Sequence, residues 1–196
     1  MLWRNEKGFT GLEAAIVLIA FVTVAAVFSY ILLGAGFFAT QKGQEVVHTG
    51  VKQATSSLEL AGEIIGKGNT NAGAYNLTEL VFTLKLASGG TAIDLGNTLI
   101  VVSVPSKGIV KELKYSKSSA TDGKYKVDWV VTVNKEGADD YLQEFEKAQI
   151  TINMSNQGID LKPNTEFLVE IRPPVGATYP ISLRVPPAIQ PVMTLI

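Results

Sequence analysis

The chain has 196 residues, a formal net charge of −1 and no cysteine. That length suits one domain with a helical extension. The near-neutral charge argues against a nucleic-acid partner, which needs a basic face, and the missing cysteines exclude disulfides, thiolate catalysis and cysteine-held zinc.

Lys7-Gly8-Phe9 stands directly before an uncharged run of 28 residues, Ala14–Gln41, and Glu13 stands alone at the edge of that run. This gives a short charged leader bearing Arg4 and Lys7, a cleavage point after Gly8, and an apolar helix with one carboxylate near the new N-terminus. A Sec-type signal has an apolar region of about 7–15 residues closed by a small-residue site. The run here is nearly twice as long, and no A-x-A site closes it. At about 1.5 Å per residue it spans roughly 42 Å, enough to cross a bilayer with tilt.

The helical pattern continues past Gln41. Val47, Val51, Ala54, Leu58, Ala61 and Ile65 recur at steps of four and three, an a/d stripe opposite Glu45, Thr49, Lys52, Ser56, Glu59 and Glu63. A helix from Thr10 to Ile65 would be roughly 84 Å long. Apolar all round in its first half and striped in its second, it predicts graded burial, as in a filament subunit whose tip lies centrally. A carboxylate deep in hydrocarbon costs about 2.5–3.5 kcal/mol, so Glu13 needs a reason. Cleavage after Gly8 would free an amine on Phe9 that is mostly cationic at neutral pH and can pair with Glu13. The plainer alternative places Glu13 at headgroup level. Gly34 and Gly36 either admit close neighbours or soften the helix. Gly66 and Gly68 suit a helix C-cap.

From Asn69 onward the period becomes two. Leu80, Phe82, Leu84 and Leu86 alternate with polar neighbours, as do Tyr125, Val127, Trp129, Val131 and Val133. So do Ile150, Ile152 and Met154, then Phe167, Val169 and Ile171, then Ile181, Leu183 and Val185. Ile100-Val101-Val102 and Ile109–Tyr115 add two candidates, and Gly, Pro and Asn punctuate the runs. About seven short strands predict an antiparallel β-sandwich of immunoglobulin-like type, without the cysteine pair. Asp139–Lys147 is either one helical turn or an edge strand. Asn76-Leu77-Thr78 and Asn153-Met154-Ser155 are N-glycosylation sequons. Asn153 should face outward, and Asn76 should sit in a loop-like approach.

The remaining chemistry is thin. The single histidine, His48, has no catalytic partner arranged beside it, and no metal-ligand spacing stands out. Asp139-Asp140 reads as a solvated loop. Gly62–Lys67 resembles a P-loop but is one residue short between its glycines, and Gly68 occupies the Ser/Thr position. No catalysis, cofactor or metal is expected.

The stretch from Gly8-Phe9-Thr10-Gly11-Leu12-Glu13-Ala14-Ala15-Ile16-Val17 through Phe21 resembles the start of archaeal flagellins (archaellins), relatives of type IV pilins. The segments Val24–Tyr30, Phe37–Lys42 and Glu45–Gly50 are similar to that family too, as is the tail Glu170–Ala177 with Val185–Ile189 and Met193. The middle, about Gly68 to Lys162, carries no such match. The resemblance implies a motility filament subunit made with a leader that a prepilin peptidase cuts between Gly8 and Phe9, with Arg4 and Lys7 recognised. The family often has two basic residues directly before the glycine; here Glu6 precedes Lys7. Helices would then bundle through Phe9, Leu12, Glu13, Ile16, Phe21 and Phe28, with β domains outside. Implied partners are the chain itself, sister archaellins, the peptidase, and the motor and membrane-platform proteins. The precursor would sit in the membrane and the filament outside the cell. The resemblance also makes glycans at Asn76 and Asn153 expected.

The resulting reading is an α+β chain with a leader at 1–8, a core-forming helix at 9–66 and an outer β-sandwich at 67–196. Two rivals are an adhesive pilus subunit and a single-span anchor presenting the sandwich as a binding module with Met1 retained.

Overall fold

The computed structural model describes residues 6–70, 75–133 and 140–195. It divides at Gly50/Val51 into a helical unit and a β unit. Helix α1 spans Glu6–Thr55 without interruption. No proline falls in this span, and Ala, Leu and other good helix formers recur through it. Its threonines do not compete with the helix. Thr23 donates to the Ala20 carbonyl at 2.9 Å and Thr49 to that of Glu45 at 2.8 Å, so each hydroxyl is satisfied locally. Lys52 in the last turn complements the negative end of the helix dipole.

The helix ends ten residues before the expected stripe does. Leu58 lies in β1 (Leu58–Leu60) and Ile65 in β2 (Ile64–Asn69), with Ala61 between them. Two effects favour strands here. Gly62, Gly66 and Gly68 would each cost a helix about 1 kcal/mol. Extended, the segment pairs with β3 (Asn76–Leu86) and buries Leu58 and Ile64 in the core. The boundary expected at 66/67 therefore moves upstream. Gly66 and Gly68 cap no helix; they are strand positions with no room for a side chain. A Cβ on Gly66 would come within 2.7 Å of Leu77 Cδ1, and one on Gly68 would run into Ile189 and reach 2.7 Å from the Gln190 carbonyl.

The other strands are β4 (Ile93–Asp94), β5 (Leu99–Val104), β6 (Ile109–Ser116), β7 (Lys124–Val131), β8 (Tyr141–Leu142), β9 (Lys147–Asn153), β10 (Glu166–Arg172), β11 (Tyr179–Arg184) and β12 (Val192–Leu195). The main sheet runs β11-β10-β5-β6-β7-β9-β3-β2-β12, with β1 added on β3 and β4–β8 as a separate pair. Every pairing is antiparallel except β6–β7. Strand β6 makes the turn between layers: Ile109–Leu113 pair with β5, whereas Lys114–Ser116 pair with β7. The large antiparallel-rich sheet behind a long apolar helix agrees with the expected fold class.

Alternation sets the core. Leu80, Phe82 and Leu84 of β3 face Ile152, Ile150 and Ala148 of β9 in register, and all six are buried. They join Ile100, Val102, Leu113, Phe167, Val169 and Ile171 from the other strands in one cluster. Tyr125 is wholly buried there, and its hydroxyl donates toward the carbonyls of Thr98 at 2.8 Å and Leu95 at 3.0 Å. Burial first, then Tyr115 and Asp94 nearby, push its phenol well above the ordinary tyrosine range. Val133 does not continue β7 as its alternation predicted. A bulge between Trp129 and Val131 shifts the register, and Val133 is exposed. The stretch before β9 holds a two-residue strand rather than a helical turn, and Asp139 lies outside the described residues.

Candidate assembly interface

The helix from Gly11 to Thr55 is long and apolar enough to cross a membrane, and none of its most apolar window is buried. Leu12, Ile16, Phe21 and Phe28 are 66, 59, 74 and 63 % exposed. Removing these four from water is worth roughly 6–12 kcal/mol. Soluble monomers rarely leave so large an apolar surface open, so this face is built to be covered.

Charges frame the apolar run and do not enter it. Glu13 is exposed and has no partner among the described residues. At the other end Lys42 pairs with Glu45 at 2.6 Å, an exposed contact worth well under 1 kcal/mol. His48 is exposed on the same helix. Arg4 lies outside the described residues, and for Lys7, Gly8 and Phe9 only the helical backbone is described.

The two sequons differ in setting. Asn76 opens β3 rather than a loop; it is half-buried, and its Nδ2 donates to Asp160 Oδ1 at 3.2 Å. Asn153 ends β9 and faces outward as expected, its Oδ1 accepting from the Asn156 amide at 2.9 Å. It borders a groove of about 580 Å³ with Lys67, Glu79, Lys126, Asp128 and Thr151. Ion pairs Lys67–Glu79 at 2.9 Å and Lys126–Asp128 at 2.8 Å neutralise that rim.

Among the described residues no three His, Asp or Glu side chains are placed to hold a metal. Asp140 is engaged, accepting from Tyr115 Oη at 2.6 Å and pairing with Lys117 at 3.0 Å. Burial and this carboxylate push the Tyr115 phenol upward. Most of the P-loop-like segment, Ile64–Lys67, lies in strand β2 with Gly66 packed against the Leu77 and Leu195 side chains, whereas Gly62 precedes the strand with open space around it.

Several positions gave no signal in the sequence. Ser56, buried where α1 ends, shares a 2.6 Å hydrogen bond with the Thr91 hydroxyl. Buried Glu146 accepts from the amides of Val133 at 3.1 Å and Gln143 at 3.0 Å. Beside it Phe145 holds φ 69°, left-handed for a bulky residue, and the residue is 79 % exposed. These pairs lie far apart along the chain or depend on one backbone angle, and no motif encodes either.

Comparisons with known proteins bear on the same features. The family model described as archaeal-type flagellin matches residues 8–183. "Probable flagellin 1" of Archaeoglobus fulgidus is 59 % identical over 198 aligned residues, covering 98 % of this chain and 97 % of the relative. A solved structure of the archaeal flagellum of Methanospirillum hungatei strain JF1 superposes with a TM-score of 0.73 at 36 % identity, over 95 % of this chain and 98 % of that one. The crystal structure of flagellin FlaB1 from Methanocaldococcus jannaschii gives 0.63 at 18 % identity, over 71 % and 96 %. That last likeness speaks to the fold alone.

Proposed function

We propose, from the premise that this chain belongs to the archaeal-type flagellin family and is a structural subunit of an extracellular motility filament, an assembly route residue by residue. The chain is made with a leader, 1–8, that holds it as a membrane-inserted precursor. A prepilin peptidase recognises Arg4 and Lys7 and cuts between Gly8 and Phe9. The freed helix then leaves the bilayer and packs with other copies through Phe9, Leu12, Ile16, Phe21 and Phe28, while the sandwich faces outward. The observation that carries this reading is a continuous apolar helix left entirely exposed by its own chain.

Glu13 has a specific part in this route. Four residues apart on a helix, Phe9 and Glu13 share a face. After cleavage the amine of Phe9 and the Glu13 carboxylate neutralise each other, within one subunit or between neighbours, and so offset the cost of burying a charge. The role is structural rather than catalytic; torque and nucleotide hydrolysis belong to the motor and platform proteins. Sister archaellins can share the filament, and glycans are attached at Asn153 and Asn76.

Two substitutions separate the steps. Gly8→Val leaves a full-length precursor in the membrane and no filament; normal filaments from that variant would remove the cleavage step. Glu13→Ala loses its leader normally but assembles much more slowly. Assembly at the wild-type rate, followed by filament yield over time, would remove the charge pair.

A further inference from the structure

The apolar run Ala14–Gln41 carries four hydroxyl side chains, Thr23, Ser29, Tyr30 and Thr40. Both threonines satisfy themselves on their own helix. Thr23 donates to Ala20 at 2.9 Å, and Thr40 reaches Gly36 at 2.7 Å and Phe37 at 3.0 Å. Ser29 has the same short reach and needs only to rotate. Tyr30 differs. Its hydroxyl sits at the far end of a rigid ring, beyond its own backbone; the residue is 80 % exposed and has no partner among the described residues.

In either dry environment this hydroxyl is a liability unless it is met. Along the helix Tyr30 lies about 18 Å from Lys42 and about 26 Å from Glu13. In a bilayer spanned by this run it is too deep for its hydroxyl to reach the headgroups. Lipid tails offer no acceptor. A neighbouring helix does. At Gly34 and Gly36 an added Cβ would meet nothing within 4 Å. With no side chain at either glycine a neighbouring helix can come close there, and the carbonyls one turn earlier, those of Tyr30 and Leu32, each keep a second lone pair beside the intrahelical bond they accept.

We infer that the Tyr30 hydroxyl is an assembly contact: in the filament it donates to an oxygen of a second copy, the carbonyls beside Gly34 and Gly36, each with one lone pair to spare, being accessible backbone acceptors. Because the bilayer has no equivalent partner, this one bond favours the polymer over the membrane-held subunit. It adds direction to a transfer between two apolar surroundings that the hydrophobic effect scarcely distinguishes. The inference rests on the reading that α1 packs against other copies in the filament core.

The test is Tyr30→Phe in the full chain, produced in its own cells, which removes one oxygen and keeps the ring. Two readouts are taken: the ratio of membrane-held to sheared-filament subunit, and the temperature at which purified filaments dissociate. The expected ratio rises about tenfold toward the membrane, the scale of one net hydrogen bond, and the dissociation temperature falls. A ratio and temperature equal to wild type would overturn the inference while leaving the filament reading intact. Wild-type filaments whose α1 residues stay open to solvent labelling would instead overturn the packing reading, and this inference with it.

Discussion

The two units of this chain handle apolar surface in opposite ways. The sandwich hides its own: Phe82, Ile100, Ile150, Val169 and Ile171 are essentially inaccessible. The helix hides none of its own, from Leu12 through Phe38. The first unit folds by meeting itself; the second leaves its apolar surface to be covered from outside the chain. Stability of the sandwich is thus a property of one chain, whereas burial of the helix must come from outside its own chain, from lipid in the proposed precursor or from other copies in the filament.

That contrast can be broken from either side. The largest effect is expected at the helix. Phe21→Asp puts a charge in the apolar run at about 2.5–3.5 kcal/mol per copy, repeated in every subunit. Filaments should vanish from the sheared fraction while the sandwich melts at its usual temperature; filaments at wild-type yield would mean Phe21 is not a packing residue. In the sandwich Ile150→Ala opens a cavity opposite Phe82 and should cost about 2–5 kcal/mol of unfolding free energy. Denaturant melts of the detergent-solubilised subunit read this directly, and a loss under 1 kcal/mol would mean the core collapses around the gap. Smallest is Phe145→Gly. It relieves a left-handed backbone and gives up little packing, so the subunit should gain about 1 kcal/mol. A loss of stability there would show that the exposed ring has a role within its own chain.

The sequence made the long elements legible for a physical reason. An apolar run without proline is a helix in almost any surroundings, and strict alternation marks β3, β9 and β10 because each has one face in the core. The failures are equally specific. Leu58, Ala61 and Ile65 carry a heptad-like spacing by coincidence, and pairing with β3 overrides it. Gly62, Gly66 and Gly68 were the warning, since a helix seldom holds three glycines in seven residues. Strands β4 and β8 are two residues each, too short for any period. Strand β12 lies in a tail whose prolines mask its alternation.

The assembly site divides along the same line. Its apolar face is composition, readable at once. The proposed Gly8–Phe9 junction and the proposed role of Glu13 rest on the sequence motif alone. Tyr30 was missed because its singularity appears only when the hydrogen bonds of Thr23 and Thr40 are known. Asp140 looked like a solvated loop residue until the fold brought Tyr115 and Lys117 to it.

The central claim is that a short leader is removed and the exposed helix then carries the chain into a polymer outside the cell. Intact mass and N-terminal sequence of the native protein from sheared extracellular material test it most directly. The account predicts a chain beginning at Phe9, with any added mass confined to peptides holding Asn76 or Asn153. A chain still beginning at Met1 and recovered only from membranes would contradict it, and would turn the helix into a permanent anchor for the sandwich.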